Sequence, residues 1–234
     1  MRIYRSIYGE MRYLKLTKRK ECWTLTFFGW SVLILSTTFF ITIAVTSANQ
    51  FLALERAVKA EILVVEGWLP DYALEKVVEE FRKHDYRKIV TLGGPIEIGS
   101  YLSEHKTYAE LAGSTLKRLG IDEEFIATVP ASREKKDRTY ASALALKNWL
   151  HKSDLSISSM NIYSLGPHAR RSWLLFNNVF DGRVEIGVLN TADRDYDPNY
   201  WWKTSNGVRS VLDELIAYCY ARFFFLSKSE STHF

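Results

Sequence analysis

The chain is poor in cysteine. Only Cys22 and Cys219 occur among 234 residues, near opposite ends, so no disulfide framework can be read and the compartment has to come from topology. Zinc-type Cys/His spacing is missing and the five histidines are scattered, which leaves no metal site. The acidic run Asp193, Asp195, Asp197 lacks the glycine and distal glutamate of an EF-hand loop. No G-x-G-x-x-G occurs, and no lysine follows Gly93-Gly94 as it would in a P-loop. With 47% hydrophobic and 25% charged residues, collagen, coiled coil and pure disorder are excluded, and the length allows one domain plus an appendage. The net charge of +4 is local: residues 1–21 hold seven Lys/Arg against Glu10 and Glu21, so the remainder is close to −1. A nearly neutral main domain gives no electrostatic case for nucleic-acid binding.

Charge of either sign is also absent from 22–54. Within that gap 27–45 (FFGWSVLILSTTFFITIAV, opening at Phe27 and closing at Val45) is 19 mostly apolar residues, near the ~20 needed to cross a bilayer as a helix. Thr37, Thr38 and Thr42 can return their hydroxyls to carbonyls one turn earlier, and Trp23 and Trp30 suit an interface. Lys15, Lys18, Arg19 and Lys20 set the direction expected: a cytoplasmic tail 1–21, a membrane helix 22–48, and the rest outside. A cleaved signal is disfavoured because the run is too long and Thr46-Ser47-Ala48 is a poor exit site.

After a linker at 49–60, apolar runs alternate with amphipathic helical patterns. Strands are expected at 61–67, 88–94, 125–131, 160–166 and 184–190. Between them lie a helix capped by Asp71, then helices at 107–119 (stopped by Gly120), 138–151 and 168–180. Strands separated by single helices run parallel, so the domain 61–226 is expected to be a doubly wound, mostly parallel five-stranded Rossmann-like α/β sheet with helices on both faces. A last helix over 208–226 packs its first half, carries an aromatic second half suited to a bilayer surface, and leaves 227–234 as a tail.

Ligands in such sheets bind outside the carboxyl ends of the strands. There the first strand delivers Glu66, Gly67 and Trp68, and the second Gly93 and Gly94 with a loop holding Ser100 and Lys106. The third leads to Asp137, Arg138 and Thr139, the fourth to His168 and Arg171. Arginine at a helix start opposes the dipole, and a bound phosphate or carboxylate would explain it. The residue types place Arg138, Arg171, Gly93 and Gly94 on an anion, His168 as proton donor, Glu66 or Asp137 as base, and Trp68 against a sugar or lipid face.

The glycine turn after the second strand, DRTYASA at 137–143 and SLGPHARR at 164–171 form an ordered set that resembles the SanA, ElyC and YdcF family of bacterial envelope proteins. The likeness covers about 61–190 and extends to the anchor with an extracytoplasmic domain. Gly93, Gly94, Thr139, His168 and Arg171 match its glycine turn, threonine segment and strand-four loop. Arg138 stands where many members have Asn, and Ala141 or Ser142 where an acidic residue is common. The resemblance implies work in envelope or polysaccharide biogenesis, through lipid-linked sugar carriers, while YdcF-like members point to S-adenosylmethionine. No cofactor is assigned.

The expected protein is therefore a single-pass inner-membrane protein binding a phosphate-bearing or lipid-linked envelope precursor and hydrolysing or transferring it. Two alternatives stay open. One is a non-enzymatic scaffold using Trp201-Trp202 and the aromatic last helix; the other is a nucleotide-type or S-adenosylmethionine-binding domain.

Overall fold

The computed structural model describes residues 22–99, 101–134 and 137–225; the basic tail at 1–21, Ser100 and the tail at 227–234 lie outside the described residues. The chain divides into two compact units, the first ending at Thr42 and the second beginning at Ile43.

Helix α1 (Phe27–Leu52) is 26 residues, about 39 Å at 1.5 Å per residue, and is long and apolar enough to cross a membrane. In the first unit its Phe27, Phe28, Phe39, Phe40 and Ile41 side chains are exposed. Thr42 Oγ1 donates to the Thr38 carbonyl at 2.9 Å and Ser31 Oγ to the Phe27 carbonyl at 3.0 Å, so hydroxyls in the apolar run are satisfied within the helix.

In the second unit α1 continues past 48 because Asn49 and Leu52, three residues apart and on one helix face, are buried there. The Tyr196 hydroxyl donates to Asn49 Oδ1 at 3.0 Å. The stretch expected to be plain linker thus begins as part of the fold. Beyond Leu52 the chain runs antiparallel along the last strand, where Arg56 and Val188 exchange backbone hydrogen bonds of 2.8 Å.

Five strands make one wholly parallel sheet: β1 (Ile62–Glu66), β2 (Lys88–Gly93), β3 (Ile126–Pro130), β4 (Ser159–Leu165) and β5 (Glu185–Thr191), in the order β3-β2-β1-β4-β5. The helices between them are α2 (Asp71–Lys83), α3 (Tyr108–Arg118), α4 (Arg138–Lys152) and α5 (Ala169–Phe180), followed by α6 (Ser205–Tyr220). Leu63 and Val65 pack with α2 and α3 through Ala73, Leu74, Val77, Ala112 and Leu116. Ile62 and Val64 pack on the other face with α4 and α5 through Ala143, Leu146, Phe176 and Val179. Both faces are covered, as near-continuous apolar strands require.

Two local expectations are corrected. Asp71 is the first helical residue of α2, with Pro70 at the cap position and no side-chain cap bond; its charge still meets the positive end of the helix dipole. The last helix stops at Tyr220 and passes into a π-helical turn over 221–225 instead of remaining regular to 226. By contrast α3 carries a full capping box, Thr107 accepting from the Glu110 N–H while the Glu110 carboxylate accepts from the Thr107 N–H.

The chain builds outward from β1 through β2 to β3, then crosses to the other side of β1 for β4 and β5. The strand order therefore reverses between β1 and β4, and the crevice at their carboxyl ends is where such sheets take ligands.

Candidate functional site

Strand parity decides what reaches that crevice. Glu66 continues the face of Ile62 and Val64, and Ser164 that of Met160 and Ile162, so the parallel register sets Glu66 beside Ser164 on the α4/α5 side. Ser164 Oγ donates to Glu66 Oε2 at 2.5 Å, and Ser172 Oγ, from the first turn of α5, donates to Oε1 at 2.8 Å. A carboxylate only 5% exposed is tolerable here because each oxygen has a donor.

A 3-10 turn, Gly166–His168, carries β4 into α5 and turns His168 back over Glu66. His168 Nε2 lies 3.3 Å from Glu66 Oε1 and Nδ1 lies 2.7 Å from Glu214 Oε1 on α6. Arg171 grips the same Glu214, through Nε to Oε2 at 2.8 Å and Nη2 to Oε1 at 3.0 Å. Each ring nitrogen faces a carboxylate, and only the imidazolium has a proton for both. Burial pushes the His168 pKa down, but the Glu66 charge and the Glu214 hydrogen bond outweigh it and raise it to about 9. Burial likewise acts to raise Glu66 and Glu214, and His168, with Arg171 for Glu214, overrides it and holds both carboxyls below the ordinary range. Arg171 stays charged: its hydrogen bonds to Glu214 and the Glu214 charge overcome the effect of burial. Two carboxylates and two cations cancel, making a buried neutral quartet with fixed dipoles.

This quartet backs a cleft of about 480 Å³. Trp68, 39% exposed, meets the His168 ring edge-on with centroids 5.0 Å apart and covers one side. Gly93 and Gly94 line the floor, and Arg133, Glu134 and Glu97 stand on the walls. The head of α4 supplies Asp137, Arg138 and Thr139. Asp137 adopts a left-handed conformation, φ 54°, and its side chain makes no cap bond to the first turn of α4. Arg138 is 72% exposed and makes a loose 3.8 Å ion pair with Glu97, while Thr139 is buried with Oγ1 3.4 Å from His168 Nε2.

Of the residues singled out in the sequence, Glu66, Trp68, Gly93, Gly94, Asp137, Arg138, Thr139, His168 and Arg171 come together around this one cleft. Gly67 is elsewhere: a Cβ there would lie 2.5 Å from the Tyr108 carbonyl and 2.6 Å from that of Leu92, so it is glycine because the start of α3 packs onto it. Lys106 is exposed on the loop before α3, with Nζ donating to the Ser103 carbonyl at 2.9 Å, and does not line the cleft. Ser100 lies outside the described residues.

Two assigned roles change. Glu66 is enclosed by Ser164, Ser172 and His168, and acts on the imidazolium rather than as a base meeting a ligand. Arg171 lines the cleft but is committed to Glu214 and orients it, which leaves Arg138 as the exposed arginine of this group. Glu214 itself is the member that residue reading missed. Its signal was position: it falls on the inward stripe of α6 with Gly207, Val211 and Tyr218, where a carboxylate needs a partner. Among the described residues no group of three or more His, Cys, Asp or Glu side chains is placed to hold a metal ion. No family model matches the chain, and a search of curated proteins gives no match either.

Proposed function

We propose that the chain is a single-pass membrane protein, its basic N-terminus in the cytoplasm, whose outward-facing α/β domain binds a phosphate-bearing, lipid-linked precursor of the cell envelope and hydrolyses or transfers it. Membership of the SanA, ElyC and YdcF family belongs to the same proposal. The observation that carries it is the head of α4, where the Asp137 side chain makes no cap bond and Arg138 is exposed, opening on a cleft lined by Gly93 and Gly94 at the switch point of the sheet. A phosphate there meets the positive end of α4, the Arg138 guanidinium with Arg133 on the facing wall, and the Thr139 hydroxyl. His168, an imidazolium whose Nε2 lies 3.4 Å from Thr139 Oγ1, orients that hydroxyl behind the phosphate, and Asp137 on the wall is our candidate to take a proton from water. Glu66 and Glu214 hold that imidazolium charged and in place.

The test is titration calorimetry of the full-length protein in detergent with a short-chain prenyl phosphate, the prenyl diphosphate and the neutral prenol, with inorganic phosphate release followed in parallel. Both phosphorylated forms bind and the prenol does not. Equal binding of the prenol, or no binding of any of them, ends the reading. S-adenosylmethionine in the same assay tests the nucleotide-type alternative. The scaffold alternative is favoured by one feature, the exposed row Ile216, Tyr220, Phe223 and Phe224 on the outer side of α6 and the turn after it. It gains if Ile216→Ser abolishes envelope function while Arg138→Ala leaves it intact.

A further inference from the structure

Between β5 and α6 the chain makes a 3-10 turn, Pro198–Lys203, whose last four residues are Tyr200, Trp201, Trp202 and Lys203. Trp201 is 5% exposed and its indole N–H donates to the Val45 carbonyl at 3.0 Å. Tyr200 and Trp202 stay exposed, at 49% and 37%, although each stacks edge-on with a neighbour at 5.8 and 5.9 Å. The Lys203 ammonium lies 3.9 Å from the Tyr200 ring centroid. Three large aromatics and a lysine are thus gathered in one turn, two of them with rings in contact with solvent.

Val45 closes the 19-residue mostly apolar stretch 27–45 of α1; Thr46-Ser47-Ala48 follow it, and Asn49 is already buried in the fold. In a helix that crosses a bilayer, the last apolar residue marks the edge of the hydrocarbon. A side chain bonded to the backbone of that residue sits at the same depth. We infer that the 198–203 turn is an interfacial seat: Tyr200 and Trp202 lie among the lipid headgroups, Trp201 locks the turn to α1, and Lys203 meets the lipid phosphates. The seat lies at the carboxyl edge of the sheet, because the turn follows β5 and the chain leaving α1 runs antiparallel to β5, from that edge towards the start of β1. It therefore turns the edge that holds the cleft towards the membrane. The inference rests on α1 crossing a bilayer and holds whatever ligand the cleft takes.

Full-length protein reconstituted in phosphatidylethanolamine and phosphatidylglycerol vesicles tests it, using lipids brominated just below the headgroups as tryptophan quenchers. Difference emission between the protein and its Trp202→Phe variant isolates Trp202; Trp149→Phe, in the last turns of α4 at the opposite edge of the sheet, and Trp30→Phe, in α1, isolate two references. The Trp202 signal falls ~twofold or more with brominated lipid while that of Trp149 is unchanged. A Trp202 signal no more quenched than that of Trp149, with Trp30 quenched, overturns the seat. An unquenched Trp30 removes α1 from the bilayer and overturns the premise instead. Should Trp202→Phe misfold, Tyr200→Trp places a new indole at the same depth, and an unquenched new signal has the same negative meaning.

Discussion

Two buried polar networks sit on opposite faces and at opposite ends of the sheet. On the α2/α3 face, near the amino ends of the strands, Asn161 accepts from the Val58 N–H at 3.0 Å and donates to the Val58 carbonyl and the Tyr86 hydroxyl at 2.9 Å each. The Tyr86 hydroxyl donates to Glu80 Oε1 at 2.8 Å. On the α4/α5 face, at the carboxyl ends, Glu66, His168, Glu214 and Arg171 form the ionic quartet. The first network is closed by backbone and pins the chain after α1 to the sheet. The second is charged and has one side on a cleft. A closed amide network gives stability, whereas four balanced charges with an open side give a field that can act on a ligand.

The largest effect that would break this contrast is expected at Glu66. Glu66→Leu strands a buried imidazolium and two serine hydroxyls, and urea unfolding should show a loss of about 3–5 kcal/mol together with loss of phosphate binding. Asn161→Leu should cost about 1–3 kcal/mol by leaving Val58 and Tyr86 groups unpaired, with phosphate binding unchanged. If Asn161→Leu weakens binding as much as Glu66→Leu does, the two networks are not functionally distinct.

Titration sharpens the same contrast. The folded pKa of His168, about 9, lies above its ordinary 6.5, so its stabilisation is complete below that value and is lost as pH rises through about 9. The depressed carboxyls of Glu66 and Glu214 act at the other end, their stabilisation present above the ordinary carboxylate range and lost as pH falls through their lowered folded values. Melting temperatures should therefore decline between pH 7 and 9.5, and Glu214→Gln should both flatten that decline and bring the His168 pKa, read by NMR, down from about 9. An unchanged His168 titration would remove Glu214 from the quartet. The smallest structural effect belongs to Arg138→Ala: stability within about 0.5 kcal/mol, because the side chain is mostly exposed, but prenyl phosphate binding weakened roughly tenfold.

Much of the fold was legible in residue patterns. Five apolar runs alternating with amphipathic segments imply parallel strands and right-handed crossovers, and the five strands and the helices between them fall within a residue or two of the expected spans, whereas α1 and α6 are displaced by three to six residues at their ends. The carboxyl-edge rule then collected most of the site, since Glu66 and Gly93 end their strands and Asp137 and His168 open the next helices. Gly67 was misleading because a glycine needed for close approach of α3 reads the same as one needed for a ligand. Asp71 was misleading because an acidic residue before an apolar stripe fits the cap and the first turn equally.

The sequence by itself determined the uncharged run of α1, the α/β alternation and the edge on which a ligand would bind, because hydrophobic period and chain polarity are local properties. Tertiary structure alone decided that Arg171 is bound to Glu214, that His168 is charged, that Arg138 is left exposed at the opening, and that Trp201 bonds to Val45. Those partners are 43 to 156 residues apart in the chain where hydrogen bonds join them, and which charges cancel depends on distances that only packing sets.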